Sequence, residues 1–229
     1  MEKKQYELCL EVLRRFYKSG LLKEFILIGS WCLYFYQDYF SKVPYPDHLS
    51  IKTRDLDFLI DEPAHIKSKV NVPELLEDLG FVTDFKGIKG YIRLDHPDLI
   101  LEFLVEEKGK GRDTPYPLPK LSINATALRF LNFLSENVIT VKVEDMALRL
   151  PHPANFALHK LIISQRRSRE DKAVKDKSSA VGVLRALLLK GDALIVQRVF
   201  RSVPSRWQKK ILSALNESRE KDIIEVLKP

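Results

Sequence analysis

Cysteine is nearly absent: Cys9 and Cys32 are the only two in 229 residues. That excludes a disulfide framework and any thiolate metal-ligand spacing. The five histidines, His48, His65, His96, His152 and His159, are scattered with no HxxxH or HExxH pattern, so no zinc site is expected. Long apolar runs are missing as well. The longest, such as Phe25–Ile28 or Leu99–Leu101, fall far short of the roughly 20 residues that cross a bilayer. The opening MEKKQYELCLEVLRRF carries charges throughout its apolar stripe and has no small-residue cleavage site, which argues against a signal peptide. These absences predict a cytoplasmic protein with no membrane partner. No internal repeat or low-complexity tract interrupts the chain.

What is present is a composition that folds. Hydrophobic residues make up 45% and charged residues 30%, enough for one large domain or two small ones. The formal net charge is +7. Such a surface attracts polyanions, nucleic acid or phosphorylated ligands, or else is a solvated Lys-rich coat.

Periodicity divides the chain into a mixed α+β part, 1–150, and a helical part, 151–229. Residues 5–18 have helical spacing with Gly20 as a stop, and EFILIGS is a buried strand entering a tight turn at Gly29-Ser30. WCLYFYQDYF (31–40) is an aromatic helix, mostly core, with one ring available to stack on a base. TRDLDFLID (53–61) is a strand, and PELLEDL (73–79) a short helix with Pro73 at N1. FVTDF, YIRLD and LILEFLVE form an antiparallel meander. EEKGKGRDTPYPLP (106–119) is a loop or a boundary. VITVKVE (138–144) is a strand, and helices are expected from Pro153, over about 171–189, over 192–202 and over 205–227. Trp207 belongs to helix packing and His159 to the interior.

Three features stand in chain order. Gly29 permits a tight turn and close backbone approach to a phosphate, and a following helix N-terminus offers N–H donors beside the Ser30 hydroxyl. Asp55 and Asp57, two apart on a strand, leave the same face and can bind one cluster of cations. Mg²⁺ favours a few carboxylates together with phosphate oxygens and water. Glu102 lies in LILEFLV, where a charge is costly unless it is paired or binds metal; otherwise it is an ordinary Glu on a solvated edge. Asp95 and Asp98, flanking His96-Pro97, are structural turn residues.

Each motif is common alone. Together, IGSWCLYFY followed by TRDLDFLID resembles the GS…DxD pattern of the polymerase-β-like nucleotidyltransferases, above all small prokaryotic members similar to abortive-infection toxin nucleotidyltransferases. The resemblance covers residues 22–61 best and continues through Glu102 and over 151–187. It implies a polymerase-β-like core, a mixed or antiparallel sheet with flanking helices, followed by a C-terminal helical region. It further implies that Gly29 and Ser30 contact a nucleoside triphosphate such as ATP. Asp55, Asp57 and Glu102 become the catalytic carboxylates and ligands of Mg²⁺, or of Mn²⁺ in its place, in a two-metal site. Twenty-four residues separate Ser30 from Asp55, a longer spacing than the family's usual one. It fits a longer helix plus the loop SKVPYPDHLSIK.

A second block, PHPANFALHKLIISQRRSREDKAVKDKSSAVGVL, resembles a later motif of the toxin-like relatives. By that likeness Lys160 reaches the triphosphate, Arg167 and Lys175 assist, and Asp176 orients a basic group or a base. Residues 160–177 hold seven Lys or Arg against three acids, a local excess of four positive charges. That makes a phosphate-binding patch or a solvated helix–helix turn. Three functions are compatible with these residues. The first is a nucleotidyltransferase moving a nucleoside monophosphate to a hydroxyl of RNA (tRNA favoured by the charge), of a protein or of a small molecule. The second is a non-catalytic nucleotide- or nucleic-acid-binding relative, for instance in a toxin–antitoxin pair. The third is a helical interaction protein with an incidental acidic strand.

Overall fold

The computed structural model describes residues 3–45, 53–109, 111 and 114–228. Its contacts divide the chain into two compact units, Met1–Phe35 with His48–Pro151, and Tyr36–Asp47 with His152–Pro229. The second unit therefore takes in residues 36–47, which the sequence pattern grouped with the first part.

In the first unit, helix α1 (Lys3–Lys18) buries Cys9, Leu10, Val12, Leu13 and Phe16 along one face, and the chain reverses at Gly20 with φ of 81°. A mixed sheet follows, built from β1 (Ile26–Ile28), β2 (Asp55–Leu59), β3 (Val82–Lys86), β4 (Tyr91–Asp95) and β5 (Ile100–Glu106) in the spatial order β1-β2-β5-β4-β3. β6 (Tyr116–Leu118) and β7 (Ile123–Leu128) extend it through β5. β2 and β5 run parallel in register, while β1–β2, β3–β4 and β4–β5 are antiparallel. One face of the sheet carries the core: Phe58 of β2 and Phe103 of β5 meet Phe16 and Phe25, with ring centroids 5.2 to 5.7 Å apart. Edge-to-face and tilted rings at this separation add to simple burial.

The opposite face is split in character. At one end Ile26, Ile28, Leu59 and Leu104 bury against Leu131 and Leu134, the latter in α4 (Asn132–Ser135). At the other end lie the charged residues described below. α3 (Val72–Glu77) begins at Asn71, whose side chain accepts from the Glu74 amide at 3.3 Å, a side-chain N-cap. The hairpin of β8 (Val138–Val143) and β9 (Met146–Pro151) completes the unit.

In the second unit, α5 (Pro153–Ser164) is buried at nearly every position, as befits a central helix. His152 caps it through Nδ1, which accepts from the Ala154 amide at 3.1 Å, and Pro153 occupies the first turn. α6 (Glu170–Lys190), α7 (Ala193–Ser202) and α8 (Ser205–Glu217) pack on it, and α9 (Lys221–Leu227) packs on α7 and α8.

Three expectations are corrected. The aromatic helix α2 spans only Trp31–Phe35, because Tyr36 and Phe40 turn into the second unit, where Tyr36 meets Phe156 edge-on at 5.5 Å. The helix expected over 205–227 is broken into α8 and α9 at Ser218-Arg219, with Arg219 at φ 59°. The stretch 106–119 contains strand β6, and β7, α4 and β9 also form where no element was expected. His48 and residues 46–52 of the loop SKVPYPDHLSIK lie outside the described residues, as do 110, 112 and 113. Cys9 and Cys32 are both buried and form no disulfide. Among the described residues no helix is long and apolar enough to cross a membrane.

Candidate active site

Strand pairing assembles the site from distant segments. In register, Ile28 of β1 faces Asp57 of β2, and Asp57 faces Glu102 of β5. Partners across a ladder share a face, so Asp57 and Glu102 project side by side from strands about 4.8 Å apart, with Asp55 two residues along on the same face. Like charges placed opposite one another cost on the order of 1 kcal/mol. The second and third predicted features thus become neighbours, although 44 residues (58–101) lie between Asp57 and Glu102 in sequence.

Gly29 closes the site from the β1 side. Its φ is +75°, and a Cβ there would strike the Asp57 carboxylate, with the carboxyl carbon at 3.4 Å. The turn therefore requires glycine twice over: for the left-handed backbone and for the space that Asp57 occupies. Ser30 follows, half-buried, with its carbonyl accepting from the Leu33 amide at 3.2 Å. Since α2 is five residues long, it supplies roughly one turn of N–H donors and little dipole.

Glu102 sits where the sheet divides. On its far side from β2, β5 pairs with β4 at Ile100 and Leu101, and with β7 from Leu104 onward. The change of partner strand leaves the Glu102 side chain room, and Lys86 fills it: the Lys86 Nζ lies 3.3 Å from the Glu102 Oε1. Arg93 of β4, on the same face, bonds to Asp84 at 2.9 Å and Asp95 at 2.7 Å. Desolvation lowers its guanidinium pKa, but Asp95 and Asp84 together outweigh it and hold the value above the usual one. Asp95 is thus a strand residue with an ion-pair partner, not a turn residue. Lys86 and Arg93 escaped the sequence reading because nothing local marks them; a hairpin brings them to a face whose acids lie elsewhere in the chain.

Among the described residues, no three acidic, His or Cys side chains converge closely enough to hold a metal ion as they stand. The donor set nonetheless suits Mg²⁺: three carboxylates on one face, two of them juxtaposed, with Glu102 paired to an exposed ammonium.

The second predicted constellation lies within the second unit. Lys160 of α5 is buried, and its Nζ donates to Asp176 Oδ1 of α6 at 2.6 Å while sitting 5.4 Å from the centre of the Phe156 ring. Asp176 Oδ2 accepts from Arg167 Nε at 2.8 Å. Burial raises the Asp176 pKa, but Lys160 and Arg167 outweigh it and hold the carboxyl below its ordinary value. Lys175, half-buried, precedes Asp176 on α6. His159 is 7% exposed, and its Nε2 has no hydrogen-bond partner. Burial first, and Lys160 second, depress its pKa to about 3, so the ring is neutral.

A separate crevice of about 600 Å³ opens near the far end of β2, beyond Asp61. Glu24 accepts there from the Lys67 and Ser68 amides, and Arg149 bridges the Lys23 carbonyl and Asp61. Neither Asp55 nor Asp57 lines it.

The nucleotidyltransferase family profile matches residues 7–203, most of both units. The chain belongs to this nucleotidyltransferase family and is an enzyme that transfers a nucleotidyl group from a nucleoside triphosphate. No curated protein matches it. Among solved structures it is similar to ANT(2'')-Ia in complex with adenylyl-2''-tobramycin, with 11% identity, 94% of this chain and 99% of that chain covered, and a TM-score of 0.49. It is similar also to the antibiotic-resistance factor ANT(2'')-Ia in solution, with 14% identity, 96% and 100% covered, and a TM-score of 0.48. A third is an antigenic nucleotidyltransferase-like protein from Paracoccidioides brasiliensis, with 13% identity, 96% and 92% covered, and a TM-score of 0.48.

Proposed function

We propose that the chain is a Mg²⁺-dependent nucleotidyltransferase that joins a nucleoside monophosphate to an acceptor hydroxyl and releases pyrophosphate. The observation that carries this reading is the cross-strand row in which Asp57 and Glu102 stand opposite one another with Gly29 held against Asp57. Two facing carboxylates beside a glycine turn make poor sense as structure and good sense as a cation and phosphate site.

In this reading Asp55, Asp57 and Glu102 hold the Mg²⁺, which supplies charge neutralisation to the phosphoryl oxygens. Gly29 lets the backbone come close to the triphosphate, and the Ser30 hydroxyl donates a hydrogen bond to it. Glu102 accepts the acceptor's hydroxyl proton as the new oxygen–phosphorus bond forms and the bond to the pyrophosphate oxygen breaks. Phosphoryl transfer asks for positioning and electrostatics more than covalent chemistry, and a rigid parallel strand pair provides positioning. Nucleotide contact by Lys160, Arg167, Lys175 and Asp176 is proposed on the second unit's own geometry: Asp176 holds the buried Lys160 and aims Arg167, whose side chain is 40% exposed, towards an anion. The acceptor is proposed to be RNA, on the strength of the +7 charge, and the compartment the cytoplasm.

The test is pyrophosphate release with each nucleoside triphosphate and Mg²⁺, in the presence of total tRNA, a panel of hydroxylated small molecules, or neither. The Asp57→Asn protein serves as control. Release is expected to fall by about 100-fold or more in the variant, the scale of losing an electrostatic group from a preorganised site, while its circular dichroism stays unchanged. Equal turnover in the two proteins sinks the assignment, and stimulation by the small molecules instead of tRNA overturns the RNA acceptor.

A further inference from the structure

Among the described residues, Lys86 and Arg93 stand on the charged face of the sheet, and they are held differently. Arg93 is gripped by Asp84 and Asp95. Lys86 reaches a single described carboxylate, Glu102, over a longer 3.3 Å, and its side chain remains 61% exposed against 28% for its partner. An exposed pair of this kind stabilises little, on the scale of what the Asp57–Glu102 opposition costs. Lys86 thus offsets the local repulsion and does little more. It also stands at the last position of β3, where the chain turns at Gly87 with φ +67°.

We propose that Lys86 is a positioning residue that exchanges ligands during substrate loading, pairing with Glu102 in the metal-free protein and with a nucleotide phosphate once a divalent cation has taken the carboxylate. This rests on the metal-site reading above. A divalent cation shared by several carboxylates outcompetes one exposed ammonium for Glu102. The displaced ammonium sits at the end of a flexible four-carbon stem and stays within a few ångströms of the site. The nearest strong anion to receive it is the triphosphate that arrives with the metal. One side chain thereby makes metal and nucleotide loading favour each other.

The experiment measures Mn²⁺ binding to the full chain without nucleotide, by the electron paramagnetic resonance signal of the unbound ion. Nucleotide affinity at saturating Mn²⁺ is then measured by calorimetry. Lys86→Met is expected to bind Mn²⁺ about two- to fivefold more tightly than wild type, the worth of one exposed ion pair, yet to bind nucleotide several-fold more weakly. Lys86→Arg, which keeps the cation, should stay near wild type in both. A Mn²⁺ affinity in Lys86→Met equal to or weaker than wild type overturns the proposal, as does unchanged nucleotide affinity. The Asp57→Asn protein separates the two readings. If it loses Mn²⁺ while Lys86→Met behaves as wild type, the metal site stands and the role of Lys86 falls. If it keeps wild-type Mn²⁺ affinity, the metal site fails and this inference with it.

Discussion

Gly29 shows how much a single residue position can be required to do. A side chain there meets the left-handed backbone penalty, about 1–2 kcal/mol for an L-residue, and also displaces the Asp57 carboxylate it would strike. Gly29→Ala should therefore lower stability by that amount and turnover by about 100-fold, the usual cost of moving a reacting group by about 1 Å. Gly87→Ala is the control: its φ is also positive but the space around it is open, so thermal unfolding should shift while pyrophosphate release persists. Similar losses of turnover in the two variants would mean that Gly29 matters only for backbone strain. The sequence marked Gly29, Ser30, Asp55 and Asp57 through spacing alone, because a turn glycine and a two-residue strand period are local facts. It marked Glu102 through the cost of a charge among Leu101, Phe103 and Leu104. It had no means of marking Lys86, whose only distinction is the carboxylate it reaches.

Among the elements, those with strong periodicity or a cap were legible: α1 with its Gly20 stop, α3 with Pro73, the β3–β4–β5 meander, and α5 from Pro153. Those that escaped lacked punctuation. β8 was expected but its partner β9 was not: the two join through Glu144 at φ 53°, a non-glycine in the conformation where glycine would have advertised a hairpin. The break between α8 and α9 is a Schellman closure: the Glu220 amide bonds to the Leu215 carbonyl and the Arg219 amide to that of Asn216, both at 3.0 Å, with Arg219 in the position glycine normally takes. Relieving that conformation should outweigh the added chain entropy, so Arg219→Gly is expected to raise the stability to urea unfolding by about 0.5–1 kcal/mol. A loss of stability would mean that the Arg side chain makes up for its own strain.

At the scale of the whole molecule, stability in acid follows from the second unit's buried network. The His159 pKa lies at about 3 in the folded chain against an ordinary 6.5, so the unfolded chain takes up a proton that the folded one refuses. Its contribution is complete above about pH 6.5 and is lost at up to roughly 1.4 kcal/mol per pH unit as pH falls towards 3. Asp176, whose folded value is lowered from 3.8, adds a loss in the same direction that begins only near that pH. His159→Leu, which removes an imidazole whose Nε2 has no partner, should flatten the dependence of unfolding free energy on pH between 6.5 and 4. An unchanged slope would assign it to other groups. The helix and strand propensities, the glycine turn and the order Gly29, Asp55, Asp57, Glu102 are properties of short windows, and the chain carries them in its linear pattern. The parallel pairing that sets Asp57 against Glu102, the strand change at Glu102 that admits Lys86, and the passage of Tyr36 and Phe40 into the second unit depend on which segments meet. Packing between residues far apart in sequence decides that, because only the assembled sheet and core can repay the entropy of bringing them together.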